Sequence, residues 1–413
     1  MNAQAFPIRR NTVLLAAGLA ASGGMMQVAV AVGTTTLVLV TGVERIVGLG
    51  PAIFLSTAAL AALPAGRAMD RYGRMPVIRG GFATGIVASA TVALGCHWVS
   101  TPLTAIGLGL VGASAGTVIL ARAAAADMYP VERRARGISL VLFGAVVGAA
   151  LGPLVFRPLF ADDHNVDTGS LVVPWLVAGA IMAVGLAIAL AVRPDPKQIG
   201  EALGYGGEVE VDDSGAAPLR TILRRPGVLT ALVAAVASFA VMVSVMNLSG
   251  YIVVGHGHST ADTFWVISAH IVGMYGLVLV VGDVIDRLGH RPALIGGLVV
   301  MGISTIFMAW IDTVASMSIS LFGLGLGWAL SYVAATSELV DRAALDERGK
   351  LVGFSDLVSS FTGAALALLG GLAYTEIGVG AVAVGATVAV VAPALLITLA
   401  GRGPAAEAPE PAA

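Results

Sequence analysis

Ionisable side chains within long apolar stretches are the first places to look for chemistry, because a charge is costly there. Three stand out: His270, Glu338 and Asp356. Each can take up and release a proton. His270 lies deepest in its apolar stretch, and imidazole titrates near working pH. Glu338 and Asp356 fall within about two turns of the ends of theirs, where they suit a gate as well as proton transfer. Gln27, Asn247, Trp328, Ser331 and Tyr332 are further polar groups in apolar surroundings. Each is a candidate for binding a ligand and, equally, for an ordinary interhelical hydrogen bond.

A second set of charges gathers where apolar stretches end. One group is Gly66-Arg-Ala-Met-Asp70-Arg71-Tyr-Gly73-Arg74; the other is Gly282-Asp-Val-Ile-Asp286-Arg287-Leu-Gly289-His-Arg291. A carboxylate at a helix end can face the positive N-terminus of the next helix or accept from arginine, and glycine permits the tight turn between them. The expected pairs are Arg74 with Asp127, and Arg287 or Arg291 with Glu338 or Asp341. Such pairs would clamp one face shut in one state and release it in another. The alternative is that these charges only solvate their loops.

Other chemistries find little support. The single cysteine, Cys96, leaves no intrachain disulfide and no cysteine-based metal cluster. Asp162-Asp163-His164 and the His256/His258 pair read as solvated loops, so neither metal nor cofactor is expected. Gly107-x-Gly109-x-x-Gly112 matches a dinucleotide fingerprint in letters only, lying inside an apolar stretch with no strand before it. No Gly-x-x-x-x-Gly-Lys-[Ser/Thr] occurs, so ATP is not the expected energy source.

Apolar helices must hold these groups. Of 413 residues 57% are hydrophobic and 12% charged, and mean hydropathy is +0.91; soluble domains carry roughly 25% charged residues. Lipid is therefore the expected solvent, and a net charge of −2 argues against a nucleic-acid partner. Twelve stretches reach the ~20 residues a span needs: 12–40, 46–66, 77–97, 102–126, 137–157, 171–192, 228–254, 263–282, 293–311, 316–339, 352–373 and 379–400. The first is too long for a signal-peptide core and reads as a span. The reading is an all-α membrane protein of twelve transmembrane helices in two halves: 1–192, a polar linker 193–227, 228–400, and a disordered tail 401–413. With both termini in the cytoplasm, only Arg45 and Arg157 of the 23 Lys and Arg residues fall at the outer side, as the positive-inside bias requires. Trp98, Trp175, Trp265 and Trp310 then mark the outer interface.

The two halves are copies. A shift of 216 residues lays Gly66, Asp70, Arg71, Gly73, Pro76, Gly80 and Gly81 on Gly282, Asp286, Arg287, Gly289, Pro292, Gly296 and Gly297, and Gly107-Leu-Gly-Leu110 on Gly323-Leu-Gly-Leu326. The same shift sets Arg122 on Glu338, opposite charges that would face each other across the bundle. The loop segment resembles the G-x-x-x-D-R-x-G-R-R signature of the major facilitator superfamily, present here in both halves, with Met75 and His290 departing from its bases. Gly144-x-x-x-Gly148-x-x-x-Gly152-Pro153 resembles part of the span-five signature of that family's proton-coupled drug exporters, but Phe156-Arg157 replaces the closing glycines. The alternative for that stripe is helix packing.

The resemblance implies a secondary transporter of a small organic solute in the cell inner membrane, acting as a monomer, with the solute, protons and the bilayer as its partners. It implies that spans one, four, seven and ten line the cavity, which puts Gln27, Asn247, Trp328 and Tyr332 near substrate, with Asp70, Arg71, Arg74, Asp127, Asp286, Arg287, Arg291 and Glu338 at a cytoplasmic gate. Proton coupling and efflux fit this picture. The alternatives are an uncoupled facilitator and a non-transporting receptor or scaffold; an enzyme is not expected.

Overall fold

The structure, a computed structural model, describes residues 6–130, 133–160, 166–205, 217–310, 312–343 and 347–400. Among these residues there is no strand. The twelve spans are α1 (Ile8–Thr41), α2 (Leu49–Tyr72), α3 (Arg74–His97), α4 (Thr101–Asp127), α5 (Arg136–Phe160), α6 (Val172–Ala191), α7 (Val228–Gly255), α8 (260–288), α9 (His290–Phe307), α10 (Val314–Asp341), α11 (Arg348–Glu376) and α12 (Val379–Ala400). Eleven are long and apolar enough to cross a membrane as single helices. α8 is broken at Leu277, just after a wide π-turn at Val272–Gly276, and so crosses in two pieces. The 263–282 stretch gave no sign of this break.

Local chemistry sets the helix ends. Ser259 with Asp262 and Thr313 with Ser316 form capping boxes that start α8 and α10. Gly73 and Gly289 take φ of 96° and 82° with ψ of 167° and 159°, ending α2 and α8 and starting α3 and α9. A side chain is strained in this conformation, so the repeat keeps glycine at both.

The two halves share one packing scheme. In the first, α3 packs on α4 and α6, α2 on α4, and α1 on α5 and α6; in the second, α9 packs on α10 and α12, α8 on α10, and α7 on α11 and α12. Each pairing maps onto its counterpart by a step of six helices. The halves join through α1 with α7, α2 with α11, and α5 with α8. Large apolar side chains such as Leu154, Ile319 and Leu396 point outward, which only lipid solvates cheaply.

Trp98, Trp265 and Trp310 are exposed near helix ends, as an interfacial belt requires, but Trp175 is fully buried. Its indole donates to Thr36 Oγ1 at 3.2 Å, tying α6 to α1. The sequence placed it by depth and could not show that it faces inward.

The glycine stripe of α5 is a packing seam. Added Cβ atoms at Gly144 and Gly148 would meet the backbone carbonyls of Ala16 and Ala20 in α1 well inside contact distance, and backbone cannot swing aside. Gly144→Val is therefore expected to destabilise the protein by about 1–3 kcal/mol, read as a lowered Tm of detergent-purified protein. Gly296→Ala, where a Cβ meets nothing within 4 Å, is expected to leave Tm unchanged.

Candidate functional site

The charge clusters come together on the face that carries the linker. Arg74 Nη1 donates to Asp70 Oδ1 at 2.7 Å, and its Nε to Asp127 Oδ2 at 2.6 Å, the second being the pair expected from sequence. Asp195 completes the cluster. Its carboxylate accepts from the backbone N–H groups of Arg74 (3.1 Å) and Met75 (2.8 Å), capping α3 across the loop, while Lys197 Nζ donates to the Asp70 carbonyl at 2.6 Å. Sequence reading passed over Asp195, although Asp before Pro196 is itself an N-cap signal. Arg71 lies over the Tyr72 ring, 5.2 Å from its centroid, and joins no ion pair among the described residues.

The second half departs from expectation. Arg291 donates to the carbonyls of Ile397 and Thr398, closing the last turn of α12, and so does not meet Glu338 or Asp341. Glu338 is held by Arg342, one turn on, at 2.7 Å. Arg287 is exposed, and the side chain of Asp286 lies outside the described residues. In place of the expected pair, His290 Nδ1 approaches Asp341 Oδ2 at 3.6 Å, and His290 is the repeat counterpart of Arg74. Arg225 and the buried Glu347 form a two-pronged pair at 2.5 and 2.8 Å that anchors the end of the linker to α11. The Arg74, His290 and Arg342 pairs of this face each join groups within one half.

Between the halves lies a cavity of about 270 Å³. Eight helices line it, not four: α2, α5, α8 and α11 join α1, α4, α7 and α10. Its surface is chiefly apolar and includes four methionines, Met26, Met242, Met246 and Met274, with Ser22, Asn247 and Ser360 as polar points. Asn247 and Trp328 line it as expected. Tyr332 stands behind Trp328, its ring stacked at 5.2 Å and 15°, with Tyr275 edge-on to Trp328 at 6.0 Å. The Trp328 Nε1 donor is buried without a partner. Tyr332 donates its hydroxyl to Asp356 Oδ1 at 2.6 Å. His256 and His258 are each engaged with a backbone carbonyl, and no metal-ligating cluster occurs among the described residues; the Asp162–His164 loop lies outside them.

Gln27 has another task. Pro153 carries no N–H, so the Ala149 carbonyl one turn earlier loses its helical donor. Gln27 Nε2 from α1 donates to it at 2.9 Å and Ser268 Oγ from α8 at 2.7 Å, and Gln27 also donates to Ser268 at 3.1 Å. All are buried, and the node joins the halves near mid-span. Among the described residues, further polar bridges between halves are Thr34 to the Asn247 carbonyl at 3.4 Å and Arg45 to Glu376 at 2.8 Å, both farther from the linker face. His270 is fully buried, its Nδ1 2.8 Å from the Leu321 carbonyl in α10, and is not part of the cavity lining.

The sequence profile of the Major Facilitator Superfamily matches residues 13–278 and again 245–413. The chain belongs to the major facilitator superfamily. It is thus a multi-pass membrane transporter. Among superfamily relatives it is 29% identical over 405 residues to the riboflavin transporter RfnT of Brucella anthropi, covering 97% of this chain and 98% of the other. It is also 29% identical to the uncharacterised transporter YdeG of Bacillus subtilis, over 89% of this chain and 84% of that one. The fold matches a D-xylose–proton symporter with TM-score 0.75 at 14% identity, over 95% and 97% of the two chains.

Gln27→Leu removes two donors while Ser268 still serves the Ala149 carbonyl. A loss of about 1–3 kcal/mol is expected, measured by Tm; an unchanged Tm would show that the node carries no stability.

Proposed function

We propose that this superfamily member is a proton-coupled secondary transporter that carries a small, largely apolar organic solute by rocking its halves about the cavity. The observation that carries the reading is the cavity itself: it lies at the junction of the halves, and its wall is apolar and aromatic with few polar points. Such a wall suits a flat, uncharged or weakly charged ring system, which stacks on Trp328 and takes a hydrogen bond from its indole N–H. The riboflavin transporter named above, similar over nearly its whole length, supports a planar heteroaromatic solute.

The distribution of Lys and Arg supports a cell inner membrane location, with the linker face in the cytoplasm. The polar bridges between halves described above lie away from that face, which supports a state open to the cytoplasm. For proton coupling, Asp356 is the best of the three candidates. Glu338 is neutralised by Arg342, and His270 is turned away from the cavity into a backbone hydrogen bond, whereas Asp356 bonds directly to the aromatic wall through Tyr332. The uncoupled facilitator remains the alternative, and a dissipated pH gradient tells the two apart.

The test is riboflavin flux in proteoliposomes with and without an imposed pH gradient. Gradient-dependent accumulation is expected, and Trp328→Ala is expected to raise KM about ten-fold, the equivalent of ~1.4 kcal/mol. Absence of riboflavin flux, with or without the gradient, would overturn the solute class; flux indifferent to the gradient would overturn coupling. His270→Gln is expected to keep the parent's pH profile from about pH 5.5 to about pH 8.5; a flattened profile would return the proton to His270.

A further inference from the structure

The second half sends three thioethers to the cavity wall: Met242 and Met246 from α7, and Met274 from α8. Met242 and Met246 are four residues apart, which sets them one above the other on a single helix face. α7 packs against α8. Met26 of α1 lines the same cavity from the first half. Methionine fills irregular gaps wherever a core needs it, so thioethers alone would mark only an adaptable wall.

A second observation sets this wall apart. His270 precedes Met274 by four residues on α8. Ile267, Ile271 and Met274 all line the cavity, and His270 stands among them in sequence, just behind the lining. It is fully buried, with Nδ1 2.8 Å from the Leu321 carbonyl of α10. A carbonyl can only accept, so the ring proton sits on Nδ1. Nε2 is then a bare lone pair, buried with no hydrogen-bond partner among the described residues. An acceptor left empty in such a place is costly. A metal-ligating imidazole is held in this same way: one nitrogen donates to a carbonyl, which fixes tautomer and ring, and the other binds the ion.

The donors select the ion. The described lining residues include no charged side chain. Magnesium, calcium and manganese prefer carboxylate and carbonyl oxygen and find no carboxylate here. A divalent ion of any kind would bring two charges into a wall with no anion to offset them. Thioethers are neutral and soft, and with an imidazole they suit Cu(I). His, Cys and carboxylate donors form no cluster among the described residues; thioethers are a separate donor class.

The geometry points to a soft monovalent cation site in the second-half wall of the cavity, with the thioethers of Met242, Met246 and Met274 and the Nε2 of His270 as ligands and Cu(I) as the ion that fits them. The ion gives up its water for four neutral donors, three from the lining and one from just behind it. All four come from α7 and α8, so the site belongs to one half and needs nothing from the other. This goes beyond the organic solute proposed above, because the ion is a second ligand of the same cavity and its binding does not depend on the identity of the first.

The test uses the full-length Cys96→Ala protein in detergent under argon, which removes the one competing thiol. Cu(I) is supplied on a colorimetric chelator, and its transfer to the protein is read from the loss of colour. The parent is expected to take up a single Cu(I) per chain, and copper-edge X-ray absorption is expected to show both sulfur and nitrogen bound to the ion. Leucine replaces methionine at nearly equal volume, so Met242→Leu combined with Met246→Leu is expected to keep the parent's Tm and to weaken Cu(I) binding about 100-fold. His270→Gln is expected to weaken it about ten-fold and to remove the nitrogen signal. Met182→Leu, at a buried methionine of α6 outside the cavity lining, is expected to change neither. A parent that takes no Cu(I) from the chelator overturns the site, and so does a double variant that binds as tightly as the parent. A nitrogen signal that survives His270→Gln overturns the imidazole ligand. Riboflavin flux of the Cys96→Ala protein is measured alongside. Its absence with Cu(I) binding intact would count against the organic solute and leave the metal site standing.

Discussion

One carbonyl oxygen holds much of this architecture together. In a bilayer no water waits to satisfy a backbone group that loses its helical partner, so a proline inside a span creates an acceptor that other helices must serve. Pro153 does this to Ala149, and the two donors that respond come from different halves, Gln27 of α1 and Ser268 of α8. The node is therefore a joint as well as a repair. It fixes α5 against α8 near mid-span, beside the stacked rings of Phe156 and Phe264, whose centroids are 5.9 Å apart. The glycine seam at Gly144 and Gly148 brings α5 close enough to α1 for Gln27 to reach. The Gln27 Oε1 acceptor remains buried without a partner, an unsatisfied acceptor at the joint between the halves.

The two halves were legible because each rests on local rules that leave marks in a sequence. Span length, the 216-residue shift and the glycine turns at 73 and 289 need nothing beyond their own segments, and the structure repeats them helix for helix. The Arg74–Asp127 pair was legible for the same reason, since it joins the ends of helices within one half. The partners that were missed depend on rotation about a helix axis, which a purely apolar helix does not declare. Trp175 and His270 sit at the expected depth but face inward, and nothing in their neighbours' hydropathy says so. Arg291 was assigned to carboxylates when the unsatisfied carbonyls at the end of α12 were a nearer need. The break in α8 at Leu277 left no proline to announce it.

Duplication gave the two halves one plan, and substitution has since made them unequal. Where the first half has Arg74 gripping Asp70 and Asp127, the second has His290 beside Asp341 at 3.6 Å, a contact that is ionic only while the imidazole is protonated. Where the first half has Arg122, with no ion pair among the described residues, the second has Glu338 neutralised one turn away by Arg342. The first half is thus held by permanent charge at its loop, and the second half spends these charges within itself.

This inequality suits the cavity that both halves enclose. A wall of methionine, aromatic and aliphatic groups is chiefly apolar and holds no charged side chain among the described lining residues. Charges within such a wall would raise the cost of the empty state, since each would have to be desolvated whenever the site closed. Asp356 lies outside the lining and still connects to the wall, because the hydroxyl that donates to it belongs to Tyr332 and the Tyr332 ring stacks on Trp328. A change at the carboxylate thus reaches the cavity wall through one hydrogen bond and one stacked ring, without any charge entering the apolar lining.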